Sequence, residues 1–195
     1  MPRRIGAKEV RSRLTGALRS TCEEFLAEVK HLPIDHWNES VFRFCLVRQL
    51  LARNSNIECW TEWNRVDLVL PASGGAVSVE MKFFTTLPTL DNEGKLLGWK
   101  GAPGRKNFAE YQDVVAKLRR ARNEPWAMDC SGVSTCFLVL AYADRKRSKR
   151  AGTYGAYYDS IRTKTPVVSI RTFADHVAIG GENEFTCKLL EVKAK

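Results

Sequence analysis

Long apolar segments are missing from this sequence, which excludes a helix that crosses a membrane by itself. No apolar run approaches the roughly 18 residues that such a helix requires. The opening stretch MPRRIGAKEVRSR is basic, but no apolar segment follows it, so we expect no secretory signal. Paired cysteine spacing is missing as well, because none of the six cysteines forms CxxC and no Cys/His spacing indicates zinc.

The cysteines predict a reducing compartment rather than a disulfide framework. Most of them lie inside apolar runs, as Cys45 does in FRFCLV and Cys136 does in STCFLVL, where a thiol packs as a small hydrophobe. We therefore expect a cytoplasmic protein without disulfides. The cysteines are Cys22, Cys45, Cys59, Cys130, Cys136 and Cys187.

Histidine is scarce: His31, His36 and His176 are scattered, and we interpret them as surface or capping residues rather than ligands or bases.

Chain length and net charge limit the number of domains and the class of partner. The 195 residues suit a single domain with a full core, and the hydrophobic fraction of 44% is typical of a globular chain. The formal net charge of +9 favours a polyanionic partner, either nucleic acid or an anionic membrane surface, over a merely basic surface.

Apolar periodicity predicts two helices at the start of the chain. The first covers residues 6–31, and Pro33 disfavours its continuation. Asn38 can cap the second, over residues 39–53. The predicted apolar positions are Val10, Leu14, Leu18, Phe25 and Val29 in the first helix and Val41, Phe44, Cys45 and Leu46 in the second.

The rest of the chain indicates strands around a third helix. Residues 57–71 form a strand region, ASGG turns the chain, and residues 76–84 form the next strand. We expect residues 85–105 to be a long loop rich in Gly and Pro. A helix over 107–122, an apolar strand over 134–144, a basic loop over 145–150, a short helix near YGAYYDSIR and the strands PVVSI and FTCKLLEVK follow. This order predicts a single α/β domain with helices flanking a mixed central sheet.

Charged residues interrupt the two strands around the ASGG turn. Alternation places Val77, Val79, Met81 and Phe83 on one face of the later strand and Ser78, Glu80 and Lys82 on the other. In the earlier strand Val66, Leu68 and Leu70 share a face opposite Asp67, so a short hairpin can bring Asp67 beside Glu80. Two adjacent carboxylates repel unless a cation lies between them, and Mg²⁺ is bound by such oxygens. A solvated Glu80–Lys82 pair on an edge strand is the simpler alternative.

RVDLVL, the Gly-rich turn and VSVEMKFF resemble the core of the PD-(D/E)xK, or restriction-endonuclease-like, nuclease superfamily. An acid, here Asp67, ends one strand, and (D/E)-x-K, here Glu80-Met81-Lys82, follows in the next. Many members carry a Glu in a preceding helix, which Glu39 matches, and the next helix and strand fit the family's α-β continuation. The resemblance covers residues 38–144; residues 1–37 form a helical extension, and 151–195 have no assigned counterpart. Val66 replaces the family's Pro.

The resemblance implies a role for each matching residue. Asp67 and Glu80 would bind Mg²⁺ or Mn²⁺ with the backbone carbonyl of Met81. Lys82 would orient or deprotonate the attacking water and stabilise developing charge. Glu39 would bind a second metal or a metal-bound water; alternatively it is simply an acid favoured at a helix N-terminus.

Basic segments would hold the nucleic acid. RKRSKR contributes Arg145, Lys146, Arg147, Lys149 and Arg150 as phosphate contacts, unless it is a solvated loop. Arg105 and Lys106 begin the third helix and can bind a phosphate, and KLRRAR adds a third basic patch. Gln112 can reach the site from that helix, and Trp99 either stacks on a base or is buried under the loop.

Our leading interpretation is a metal-dependent nuclease acting on DNA in restriction, repair, recombination or mobile-element biology. One alternative is a nucleic-acid-binding or assembly protein of the same fold without catalysis, and another is an RNA-cleaving toxin or effector. A homodimer or larger complex would suit double-strand cleavage, whereas a monomer would nick or trim.

Overall fold

In the computed structural model, the protein has a six-stranded mixed β-sheet with helices packed against it. The structure describes residues 4–32, 34–52, 57–93, 95–100, 105–124, 127, 131–145, 153–181 and 183–195. Within them, no helix is long and apolar enough to cross a membrane.

Four α-helices lie in the described ranges. They are α1 (Ala7–Glu28), α2 (Glu39–Ala52), α3 (Arg105–Arg120) and the short α4 (Tyr154–Tyr158). Asn38 caps α2 as predicted, because its Oδ1 accepts a hydrogen bond of 3.0 Å from the backbone N–H of Val41. Two short 3-10 helices, Ile34–His36 and Ala121–Asn123, follow α1 and α3.

The strands form one large and one small sheet. They are β1 (Trp60–Trp63), β2 (Val66–Ala72), β3 (Gly75–Thr85), β4 (Leu87–Leu90), β5 (Leu96–Lys100), β6 (Val133–Arg145), β7 (Val167–Gly180) and β8 (Asn183–Val192). The large sheet has the order β1-β2-β3-β6-β8-β7, and β4 pairs with β5 in a separate hairpin. Only the β3–β6 pairing of these described strands is parallel, and α3 supplies its crossover.

Each face of the sheet buries its own apolar cluster. Residues of α1 and α2 cover the first face, where β2 and β3 contribute Leu68, Leu70, Val77, Val79 and Met81 and where β6, β7 and β8 add further apolar side chains. Residues of α3 and α4 pack against the second. Because β3 and β6 are covered on both faces, their side chains are buried along most of their length.

The structure corrects several details of the sequence interpretation. On α2, Phe42 is buried and Phe44 is 65% exposed, because the face that meets the sheet is formed by Phe42, Cys45, Leu46 and Leu50. Val66 packs in the second cluster with Val69, apart from Leu68 and Leu70. The segment expected to be a loop contains the β4–β5 hairpin.

Other predictions about the fold are confirmed. The alternation along β3 holds, since Val77, Val79 and Met81 are in the first cluster and Phe83 packs against it. Cys22, Cys45, Cys136 and Cys187 are buried, as expected of small hydrophobes. Residues 146–150 of the predicted basic loop and Cys130 lie outside the described residues.

Candidate active site

The β2–β3 hairpin brings Asp67 and Glu80 together. Gly74 and Gly75 have φ of 81° and 139°, which L side chains rarely adopt, and they allow the tight turn. The antiparallel register pairs Leu68 with Val79, so the next positions along the two strands are Asp67 and Glu80. Both acids are buried, with 9% and 4% of their surface exposed. The hairpin therefore places the two acids in the same region of the interior, near enough for Asp67 to raise the pKa of Glu80, rather than on a solvated edge.

Asp67 is held by α2 and by the neighbouring strand. Its Oδ1 accepts a hydrogen bond of 3.1 Å from the Arg43 guanidinium, and its Oδ2 accepts one of 2.7 Å from the backbone N–H of Met81. Arg43 also forms an ion pair with Glu62 on β1. These contacts fix the carboxylate and keep it beside a cation.

The pKa of Glu80 is strongly perturbed. Its pKa is raised from 4.5 to about 7, chiefly by burial; Lys117 and Lys82 act to lower this pKa, and the charge of Asp67 acts to raise it. Lys117 Nζ lies 2.6 Å from Glu80 Oε1 in an ion pair. Oε1 is buried, so the Lys117 ammonium is the cation that it faces in the interior. A carboxylate oxygen has two lone pairs, so Glu80 can accept a further contact beside this one.

Lys82 and Glu39 form an ion pair at the same site. Lys82 Nζ donates a hydrogen bond of 3.1 Å to Glu39 Oε2. Glu39 is the first residue of α2, one turn before Arg43. The same helix therefore directs an acidic and a cationic side chain towards the strand residues. About a quarter of the Lys82 side chain stays exposed, so its ammonium remains accessible to a substrate.

A cleft of about 370 Å³ opens beside Glu80. Ser78 and Glu80 of β3 lie in its wall, and the Oγ of Ser78 is another buried polar atom without a hydrogen-bond partner. The β1–β2 turn and the end of α3 complete the lining: Asn64, Arg65, Val66, Lys117, Leu118, Arg120, Ala121 and Glu124. Lys117 also donates to the backbone carbonyl of Arg65, which ties the turn to α3.

The side chains present only partly fit a divalent cation. No group of three or more His, Cys, Asp or Glu side chains suited to a metal occurs in the part of the chain that the structure describes. Glu39 contacts Lys82, and the two central carboxylates already face Arg43 and Lys117. Each carboxylate oxygen has two lone pairs, so Asp67 and Glu80 retain acceptor capacity beside these contacts. The donor set is therefore two adjacent carboxylates, which suits Mg²⁺ bound mainly through water and phosphate oxygens.

Comparisons of the chain with protein-family models, with curated proteins and with solved structures found no match. The resemblance to PD-(D/E)xK nucleases consequently depends on the short motif and on its geometry.

The predicted nucleic-acid contacts that the structure describes lie on different elements. Arg105 and Lys106 begin α3, with Lys106 exposed, and Arg145 is the last residue of β6. Gln112 lines a second cleft, whose wall includes neither Asp67 nor Glu80 nor Lys82. Lys146, Arg147, Lys149 and Arg150 are outside the described residues, and of Trp99 only the backbone, in β5, is described.

Sequence reasoning missed the individual roles of Arg43 and Lys117. Within the sequence, Lys117 stands out only as part of the basic patch KLRRAR, and Arg43 resembles any exposed cation of an amphipathic helix. Their partners are 24 and 37 positions away along the chain, respectively. A usable signal for Arg43 is its position four residues after Glu39, on the same face of α2.

Proposed function

We propose that this protein is a metal-dependent nuclease that hydrolyses phosphodiester bonds of DNA. The proposal depends on one observation: Asp67 and Glu80 are adjacent, buried carboxylates, and Lys82 lies two residues beyond Glu80 on the same strand. Buried acids this close repel each other unless a cation is near. Lys82 adds the cation that phosphodiester hydrolysis requires beside such a pair.

Asp67 and Glu80 would hold Mg²⁺ or Mn²⁺, together with the backbone carbonyl of Met81. The burial of Glu80 and its pKa of about 7 support this assignment, because a cation would stabilise the charged form of the acid. When bound, the ion would lower the pKa of a water molecule and neutralise charge on the phosphate.

The protein's own side chains have separate tasks in this proposal. Lys82 orients the attacking water and stabilises the charge that develops on the phosphate. Glu39 holds the Lys82 ammonium in place through the 3.1 Å contact. Arg43 performs the same positioning for Asp67 and contributes positive charge next to the site.

The arrangement of elements also supports the proposal. α2 precedes the β1-β2-β3 meander, and α3 then leads to β6, which pairs parallel to β3. This is the α-β continuation expected from the resemblance, and a restriction-endonuclease-like core is part of the proposal.

A second candidate function is nucleic-acid binding without catalysis, on the same fold. One observation favours it: Arg43 and Lys117 already supply cations to the two carboxylates, so the pair is partly neutralised by the protein itself. An RNA target, as in a toxin or effector, is distinguished from DNA only by substrate tests.

Lys82→Ala separates the two functions. We expect cleavage to fall by about 10²–10⁴-fold, because the attacking water and the developing charge lose their partner. Metal binding should stay near the parental level, and duplex affinity measured with Ca²⁺ should change little. The measurements are cleavage with Mg²⁺, the metal-induced shift in melting temperature and duplex affinity.

Lys30→Ala is the matched control, since Lys30 is an exposed lysine just after α1. Plasmid, linear and single-stranded DNA and RNA are each incubated with Mg²⁺, Mn²⁺ or EDTA. A Lys82→Ala variant that cuts like the parent would remove Lys82 from the catalytic assignment. Parental protein that binds DNA but cuts no substrate with either metal would favour the binding function.

A further inference from the structure

A second cleft lies on the opposite side of α3 from the carboxylate site. Its volume is about 360 Å³, within the size range of small-molecule pockets. One wall is α3, through Phe108, Tyr111, Gln112, Val115, Ala116 and Arg119. The other is α4 and the segment after it, through Tyr157, Ser160, Ile161, Arg162, Lys164, Pro166 and Val167.

Aromatic rings form much of the apolar part of this cleft. The rings of Phe108 and Tyr111 are stacked with centroids 5.9 Å apart, and those of Phe108 and Tyr157 lie 6.2 Å apart. Tyr111 is 9% exposed and packs against the buried Tyr158, which holds its ring in place. A rigid aromatic wall of this kind is suited to a flat ring that stacks on it.

The charged side chains of the cleft all have the same sign. Arg119, Arg162 and Lys164 line it, and none of its described lining residues is an Asp or a Glu. Arg162 is positioned by the backbone, because its guanidinium donates to the carbonyls of Asp159 at 2.6 Å and Ile161 at 3.2 Å. An arginine has five donor hydrogens, so this anchoring leaves donors for a ligand. The cleft near Glu80 differs, since it contains the acids Glu80 and Glu124.

We propose that this cleft binds one nucleotide unit, with the base against Phe108, Tyr111 and Tyr157 and the phosphate on Arg119, Arg162 and Lys164. Apolar aromatic walls next to three cationic side chains match a ligand that combines a flat ring with an anion. Gln112 and Ser160 provide polar groups that can contact the edge of the base. The inference goes beyond the proposed catalysis, because it requires neither a metal nor cleavage.

Two kinds of ligand combine a flat base with a phosphate: a free mononucleotide and an unstacked nucleotide of a single strand. The test uses isothermal titration calorimetry in EDTA, with adenosine 5′-monophosphate, adenosine, inorganic phosphate and a short single-stranded oligonucleotide as probes. We expect the monophosphate to bind at least about tenfold tighter than adenosine or phosphate, since each contributes only half of the contacts. Tighter binding of the oligonucleotide identifies the strand as the source; equal or weaker binding identifies the free nucleotide.

Two variants, each with a control, locate the binding. Arg119→Gln with Lys164→Gln should weaken binding of the monophosphate by about tenfold or more while leaving adenosine unaffected. Ala116→Leu should weaken binding of both, because the larger side chain fills the cleft while keeping a good helix former. The controls are Ala109→Leu, at an exposed position of α3 outside the cleft, and Arg171→Gln on β7.

A monophosphate that binds no better than adenosine and phosphate would overturn the proposal. So would tight binding that both Ala116→Leu and the double variant leave unchanged. Cleavage activity does not enter any of these measurements, so a negative result here leaves the nuclease proposal intact, and failure of the nuclease proposal leaves this one intact.

Discussion

Glu80 combines deep burial with a titration near neutral pH, so its charge state depends on the presence of a cation. Its pKa is raised from 4.5 to about 7, chiefly by loss of solvation. At neutral pH and without metal, protonated and charged forms therefore coexist. A cation placed between Asp67 and Glu80 would expel the proton, which links metal binding to pH.

The first prediction concerns stability without metal. Because the folded pKa is the higher one, the folded state holds the Glu80 proton between about pH 4.5 and about pH 7 while the unfolded state releases it, so stability falls as pH rises through this window. At about 1.4 kcal/mol per pKa unit, the loss is about 3 kcal/mol. Glu80→Gln should therefore be more stable than the parent by about 2–3 kcal/mol at about pH 8 and equal to it at about pH 4.5. Urea denaturation in EDTA at the two pH values measures this.

Glu23→Gln is the control, because Glu23 is an exposed acid of α1. Its pH profile should run parallel to that of the parent. Mg²⁺ should then stabilise the parent more than Glu80→Gln, since the neutral amide is a weaker ligand. If the Glu80→Gln profile also runs parallel to the parent's, the acid is not titrating near neutral pH, and the electrostatic argument for its role fails.

At the scale of elements, α3 links the parts of the carboxylate site. Lys117 connects it to Glu80 on β3 and to the carbonyl of Arg65 in the β1–β2 turn. Asn64 and Arg65 in that turn have φ of 48° and 67°, the left-handed region, which asparagine tolerates and which is unfavourable for arginine. The hydrogen bond from α3 helps hold the turn in this conformation and so shapes the cleft beside Glu80.

The second prediction follows from this contact. Lys117 lowers the pKa of Glu80, so Lys117→Met should move it above about 7. The pH window of declining stability would extend upward, and half-maximal Mg²⁺ binding would require a higher pH. Arg120→Met removes another cation lining the same cleft and should cause a smaller shift, because Arg120 is not among the groups that perturb Glu80. Equal shifts in the two variants would mean that only the overall field matters.

The sequence predicts those parts of the site that depend on local patterns. Two-residue alternation places Glu80 opposite the core residues of β3, and the Gly-rich turn sets the register that brings Asp67 beside it. Arg43 and Lys117 escape such reasoning because their contacts depend on how α2 and α3 pack on the sheet. Phe44 is misplaced for the same reason: the apolar residues of α2 cover much of its circumference, so periodicity leaves the rotation of the helix open.

At the scale of the whole molecule, α3 separates two clefts with different chemistry. One is lined by the buried Glu80 and by Ser78, whose Oγ lacks a hydrogen-bond partner, and the other combines aromatic rings with three cationic side chains. The two faces of one helix would thus serve a phosphodiester site and a nucleotide pocket. An excess of nine positive charges would bring a polyanion to either side.

The last prediction tests where that charge acts. Replacing Arg145, Lys146, Arg147, Lys149 and Arg150 with Gln should weaken binding to all DNA sequences alike, because phosphate contacts contain no base information. The slope of log affinity against log salt should shrink by about 0.9 for each phosphate that the variant no longer neutralises, so by about 4.5 if all five cations bind phosphates. The control replaces five exposed cations elsewhere, Lys8, Arg19, Lys30, Arg171 and Lys193, and lowers the net charge equally. A control that weakens binding to the same extent would show that only net charge matters. An unchanged slope in the first variant would instead move the binding face to Arg105 and Lys106 at the start of α3.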